Sequence, residues 1–455
     1  MKGKSLVLLL TIVLAGLLVV TACSKTNSTE ESTSPEGTQQ AEKTAAPEAP
    51  PKEEENRDPV TLKLLSWHVG ATQELFDLFH EKYPWITIQA EEWGVDKAVA
   101  MQAAGDPADL VWIAGLTPWL KDGMLEDLTP YIAKDPNIQN AKIIDGFVDA
   151  FKTPDGKTFA IPYTFISEWM VVNKDLLKKH GMEMPSYDWT YDDMLEMAKK
   201  ATDPAANEYG LSYDSLFSSH FNWMLPVANG NAANLRFFNE DLSQSVFNTP
   251  GVQADLKWLQ ELTTKWHVKP TDEEAAKLGW EQANNFLTGK VLFTLGADWV
   301  VPGYNELATF DWDILPVPRG KEKQVTAQLL GPIGILSASK HKDAAYKWIS
   351  FQFEMEAQKW HIKNGSNAFV IHPDLDAELE KTPTWQGKDL EVLKMSKNMC
   401  CFLLDPIIPD LDNFNATVDD PLFRAMTKDF DITSLVPLVD KFNENSPKLR
   451  KDLGW

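Results

Sequence analysis

Seventeen tryptophans stand among the 455 residues, with 22 phenylalanines and nine tyrosines. An indole offers a broad apolar face while only two torsions need ordering. A sugar ring has a C–H face as well as hydroxyls, so a protein that holds sugars needs such faces. A protein that does not hold sugars keeps its tryptophans in the core, and position along the chain decides between the two. Covalent chemistry finds less support. The eight histidines form no H-E-x-x-H, and Gly289-Lys290 lacks the upstream glycine of a G-x-x-x-x-G-K-[ST] phosphate loop. There is no G-x-S-x-G elbow. The histidines are scattered, which argues against a metal carrier. Carboxylates are plentiful, so a glycosidase pair remains an alternative.

One further chemical group is singular in its placement. Cys23 sits where an apolar run, residues 6–20, gives way to a polar tract, and Lys2 and Lys4 precede that run. This is the charged-then-apolar layout of a secretory signal, with the small Ala22 before a cleavage point. An apolar run of about 15 residues is short for a ~30 Å hydrocarbon core. Val20-Thr21-Ala22-Cys23 resembles the bacterial lipobox, in which the cysteine is lipidated and becomes the first residue of the mature chain. The expectation is a signal peptide at 1–22 and a lipid anchor on Cys23. An ordinary signal or an uncleaved anchor helix are the alternatives, and each puts the remaining chain outside the cell. Residues 24–59 contain no aromatic residue and no Leu, Ile, Val or Met. Such a segment buries too little to offset its ordering, so 23–59 reads as a lipidated cysteine and a disordered tether.

The remaining 60–455 are enough for two lobes. A net charge of −23, from 43 basic and 66 acidic residues, argues against nucleic acid or an anionic lipid surface as ligand. Beyond Cys23 the only cysteines are the adjacent Cys400 and Cys401, expected to be reduced and without a catalytic role.

The elements that position these residues are read from apolar spacing. "TLKLLSW" is a buried strand ending at Trp67 and His68. A helix follows, with Thr72 as N-cap, Leu75, Leu78, Phe79 and Tyr83 on one face, and Pro84 as its stop. "ITIQAEEW" alternates as a strand, and strand–helix–strand implies a parallel pair. "ADLVWIAG" is another buried strand, carrying Trp112. Thr190 and Asp193 form a capping pair before a helical stripe. "KVLFTLGADW" and "FDWDILPVP" read as strands, and 378–455 as mostly helical or irregular. Trp258 and Trp348 lie within helical patterns and are assigned to core. Strands alternate with helices throughout, so the fold class is α/β.

The order of segments resembles the extracellular solute-binding lipoproteins of bacterial ABC importers, the family-1 group that includes maltose-binding protein. It is carried by "AAGDPADLVW", "WLKDGMLEDLTPYI", "GKTFAIPYTFISEWMVVNKDLLKKHG", "FLTGKVLFTLGADW", "WDILPVPRG" and "GPIGILSASKHKDAAYKWISF", in order over about 60–370. "NMCCFLLDPIIPDLDNF" departs from it. The resemblance implies a type II, two-lobe periplasmic-binding-protein-like fold with a ligand cleft between lobes joined by crossing strands. Lobe one would be 60–163 plus 331–369 and lobe two 164–330 plus 370–455, with crossings near 161–165, 326–331 and 369–372.

Ligands in open α/β sheets sit beyond the carboxyl ends of strands. Trp67, His68 and Trp112 therefore face the cleft from lobe one, and the resemblance adds Trp299, Trp223 and, at the first crossing, Tyr163. Each desolvated sugar hydroxyl must also be re-paired. The candidates for this are Asp298, Glu168, Asn364 and Asn367, although Asn364 with Gly365 equally suits a helix C-terminus. The implied function is capture of a carbohydrate, an oligosaccharide, by lobe closure, and delivery to the permease of an ABC importer. The protein would be a monomer with no cofactor, on the outer face of a Gram-positive cell membrane. A lipid-anchored glycan hydrolase, or a receptor for a cationic or peptide solute, are the rival readings.

Overall fold

The computed structural model describes residues 58–67, 72–213, 215–280 and 285–455. The signal segment, Cys23, nearly all of the tether and His68 lie outside the described residues. β1 (Val60–Ser66) buries Leu62, Leu64 and Leu65, and a helix, Gln73–Lys82, lays Leu75, Phe76 and Phe79 against it. Thr72 holds the N-cap position, but its backbone (φ −114°, ψ 8°) is outside the extended region that lets a cap hydroxyl reach back, and it makes no capping bond. β2 (Ile86–Glu92) then pairs with β1 in parallel over seven residues, from Val60 opposite Ile86 to Ser66 opposite Glu92. β3 (Leu110–Trp112) joins the other side of β1, also parallel.

β4 (Ile161–Asn173) is long and buried, and its two ends have different partners. The remaining strands are β5 (Tyr209–Leu211), β6 (Val291–Ala297), β7 (Trp312–Leu315), β8 (Val325–Ile335) and β9 (Cys400–Phe402). The sheet order is β2-β1-β3-β8-β4-β6-β5, with β7 on β4 and β9 on β8. Residues 161–167 of β4 pair antiparallel with β8, whereas 168–173 pair with β6 and β7. β8 in turn pairs with β3 at its far end. β4 and β8 therefore run side by side from one half of the curled sheet to the other. Their register slips by one residue between Pro162 and Phe165, a bulge. Gly331 lies opposite it, and a Cβ there would sit 2.3 Å from Thr164 Oγ1, so only glycine fits.

Two hydrophobic clusters flank this pair of strands. One gathers Leu62, Phe79, Trp119, Phe147, Ile333, Trp348 and Phe369, and also takes in Tyr304, Trp312 and Trp385. The other gathers Met170, Met194, Phe221, Phe293, Leu315, Phe414 and Phe442. Trp348 is buried as expected, but Trp258 is only partly buried. Thr190 and Asp193 do form a capping box at the start of Tyr191–Ala201. The C-terminal region is mainly helical, ending in Val436–Asp452, but contributes β9. Cys400 and Cys401 are joined as a disulfide, not held as the free thiols expected. Among the described residues no helix is long and apolar enough to cross a membrane.

Candidate functional site

Parallel strands deliver their C-terminal ends to one edge, and here each delivers an indole. Trp67 follows β1, Trp93 follows β2 and Trp112 ends β3. The rings meet edge to face: Trp67 is 5.1 Å from Trp93 and 5.5 Å from Trp112, centroid to centroid. Tyr163, on β4, continues the series 5.4 Å from Trp112. Hydrogen bonds fix it. Trp93 Nε1 donates to the Trp112 carbonyl at 2.6 Å, and Trp112 Nε1 donates to Tyr163 Oη. Burial drives the Tyr163 phenol far above its ordinary pKa, so it stays protonated. Trp67 remains 50% exposed, so this wall ends in an open face.

A second group forms around the helix Ser215–Ala228. Phe217, His220 and Trp223 lie three residues apart and so follow one side of it. Phe217 stacks nearly parallel (8°) on Trp299 at 5.6 Å. Trp299 sits in the turn Asp298–Val300 directly after β6 and is 41% exposed. His220 packs on Trp223 at 4.8 Å, and its Nδ1 is hydrogen-bonded to Glu168 Oε1. Trp223 is buried, so it backs this wall and does not present a face.

Behind Trp223 lies a group that the sequence did not disclose. The Arg236 guanidinium is 4.2 Å from the Trp223 ring centre. Its Nε and one NH2 donate to both oxygens of Asp405, at 2.6 and 2.7 Å, and the other donates to Asn415 Oδ1 at 2.7 Å and to Asp419. Burial alone would lower the guanidinium pKa, but the Asp405 and Asp419 carboxylates reverse this and hold it above its ordinary value. Burial raises Asp419 to about 6, against the pull of Arg236. Asp405 belongs to the segment that departed from the family pattern, and Asn415 follows directly after it. The same segment reaches the loop that follows β3, where Leu116 N donates to Pro406 O at 2.8 Å. The partners lie some 170 residues from Arg236, and no local pattern links them.

The polar candidates are placed differently from what their sequence positions implied. Glu168 is fully buried against His220. Asp298 is 1% exposed; Trp169 Nε1 donates to its Oδ1 at 3.4 Å, and Oδ2 has no hydrogen-bond partner among the described residues. Burial raises its pKa to about 8, opposed by Trp169 and Lys397. Asn367 is buried: its N donates to Phe165 O at 2.6 Å and its Nδ2 to Ser167 Oγ at 3.3 Å. Asn364 donates its amide to Trp360 O at 3.0 Å and closes a helix end, the alternative noted for it. The structure thus brings Trp67, Trp112 and Tyr163 into one wall and Glu168, Trp223, Asp298 and Trp299 into or behind another. Asn367 is bonded to β4, and Asn364 stays with its own helix.

Tyr163 and Glu168 are five residues apart on β4, roughly 17 Å at about 3.3 Å per residue. An odd spacing puts side chains on opposite faces, but the intervening bulge shifts the alternation by one and removes that conflict.

A curled mixed sheet, crossed by two paired strands that link two cores, with aromatic walls at strand ends, defines the type II periplasmic-binding-protein class. Solved structures agree. A substrate-binding protein of Listeria monocytogenes in complex with cycloalternan matches with a TM-score of 0.71 at 23% identity, over 87% of this chain and all of that one. Maltose-bound MalE3 of Thermotoga maritima matches with 0.63 at 20% identity, over 84% and 99%. Curated relatives include an ABC transporter extracellular-binding protein of Pyrococcus horikoshii, 26% identical over 64% of this chain and 67% of that one. A putative binding protein of Brucella abortus is 25% identical over 65% and 70%. Residues 66–359 match the family profile of bacterial extracellular solute-binding proteins, and the chain belongs to that family.

Proposed function

We propose that this receptor captures an oligosaccharide between its two aromatic walls and hands it, chemically unchanged, to the permease of an ABC importer. The observation that carries this reading is the fixed run Trp67–Trp93–Trp112–Tyr163, half open at Trp67, together with a second exposed indole, Trp299, stacked on Phe217. The span between Tyr163 and Glu168 is longer than one sugar ring. The sugars held by the Listeria and Thermotoga neighbours support the same ligand class. In this reading lobe one is 60–163 plus 331–369 and lobe two 164–330 plus 370–455. Sugar binds one lobe, the other closes over it, and the ligand shifts an existing open–closed balance by its differential affinity. The lipid on Cys23 keeps a monomeric receptor at the outer face of a Gram-positive membrane.

The test is a thermal-shift screen against mono- and oligosaccharides, peptides and polyamines, because a ligand bound only by the native state raises Tm. A rise with an oligosaccharide recovered intact by chromatography supports the reading. Cleaved products make the protein a hydrolase. A rise with peptides or polyamines alone moves it to another ligand class.

A further inference from the structure

On the helix Ser215–Ala228, Leu225 lies about 200° around the axis from Trp223, at about 100° per residue, and Asn229 follows directly after its last residue with its N bonded to Leu225 O. They therefore look away from the second wall, and they open onto a separate cavity of about 360 Å³. That is within the ~300–1,000 Å³ of small-molecule sites. Its sides come from the start of Tyr191–Ala201, the helix Pro250–Thr264, and the loop at Arg319–Lys321.

The cavity has a built polar floor. Asp255 is 7% exposed and takes Asn229 Nδ2 on one oxygen at 2.8 Å and Asn231 Nδ2 on the other at 2.7 Å. A carboxylate oxygen accepts two donors, so each keeps a lone pair for a ligand. The loop is fixed as well. Lys321 N donates to Asn229 Oδ1 at 2.9 Å, and Gly320 lies so close to Ala228 that a Cβ would fall 2.5 Å from its carbonyl carbon. One wall is an indole. Trp258 is wedged edge to face by Trp266 at 5.5 Å and Tyr191 at 5.9 Å, yet stays partly exposed. An aromatic face held this way costs little ordering when a ligand arrives.

The charges in the lining cancel: Asp192 and Asp255 against Arg319 and Lys321. In a chain of net charge −23 this is a neutral spot. It offers donors and acceptors together with a flat apolar face, and selects neither cations nor anions. We propose that this cavity is a second carbohydrate site, outside the cleft, for a neutral pyranose ring, either free or as a unit of a neutral polysaccharide. It does not depend on the cleft assignment, because it shares no residue with either wall.

The experiment uses the detergent-solubilised full chain carrying Trp299→Ala, which weakens the cleft. One arm is native electrophoresis in gels containing soluble starch, laminarin or galactomannan, with polygalacturonate as the charged comparison. The other is saturation-transfer NMR with glucose, mannose and galactose. The expected result is retardation or saturation transfer with at least one neutral sugar, lowered at least tenfold by Trp258→Ala and several-fold by Arg319→Ala, a rim change that leaves the aromatic packing alone. A polysaccharide response alone assigns the site to chains, and a free-sugar response to monosaccharides. In the chain with Trp299 intact, Trp258→Ala keeps the thermal shift given by the cleft ligand, which shows that it folds. No response to any neutral sugar, a response unaffected by both substitutions, or a stronger response to polygalacturonate overturns the proposal.

Discussion

Replacing Trp299 by alanine separates a ligand-facing indole from a structural one. Trp299 is 41% exposed and rests on Phe217. A tryptophan buries up to about 250 Å², so about 100 Å² is left for a ligand to cover. At ~25 cal/mol per Å² that area is worth about 2.5 kcal/mol. Alanine retains a small part, so the loss is about 2 kcal/mol, a roughly thirty-fold rise in Kd. Folding loses the roughly 150 Å² that Trp299 already buries, about 3 kcal/mol at the same coefficient, so binding is read well below the Tm of the variant. Isothermal calorimetry with the tightest sugar from the thermal screen reads the change, and circular dichroism confirms the fold. A Kd within twofold of the parent, in a folded variant, refutes the placement of Trp299 at the ligand.

Other perturbations probe the groups behind the walls. Arg236→Ala removes the cation between two partly buried carboxylates and lowers unfolding free energy by about 3 kcal/mol in urea titration; a loss below about 1 kcal/mol contradicts the ion cluster. Asp298 is raised to about 8 in the folded chain by burial, so between pH 4 and pH 8 the unfolded chain releases a proton that the folded chain keeps, and stability falls as pH rises through that window. Asp298→Asn removes this penalty, and its Tm advantage over the parent should grow from pH 4 to pH 8; an advantage that is flat or shrinks with pH counts against it. His361 is lowered to about 3 by burial, so its stabilisation is complete above its ordinary pKa and lost as pH falls toward 3. Melting curves of His361→Gln should accordingly lose less Tm than the parent between pH 6 and pH 4. Cys23→Ala should move the protein from the membrane pellet to the soluble fraction, and continued pelleting would defeat the lipid assignment.

The parts of this fold that were legible in the sequence are those fixed by neighbours. The β1–helix–β2 unit followed from apolar spacing, and the Thr190–Asp193 box from a four-residue motif. Trp93 was missed although its signal was present, since it follows β2 as Trp67 follows β1. Thr72 failed as a cap because a residue type does not set its own ψ. Burial of Glu168, Asp298 and Asn367 was illegible, because each is covered by residues distant in sequence: His220, Trp169 and Ser167. Arg236 was beyond reach for the same reason.

The interleaving of β3 with β8 has a bearing on how the chain is made. Leu110 pairs with Ile335, and the first core also needs Trp348 and Phe369. At about 5–20 residues per second, a ribosome takes on the order of ten seconds or more to supply those partners after β3 emerges. Until then β3 lacks its partner on the β8 side. A polypeptide that matures so late stays threadable through most of its synthesis.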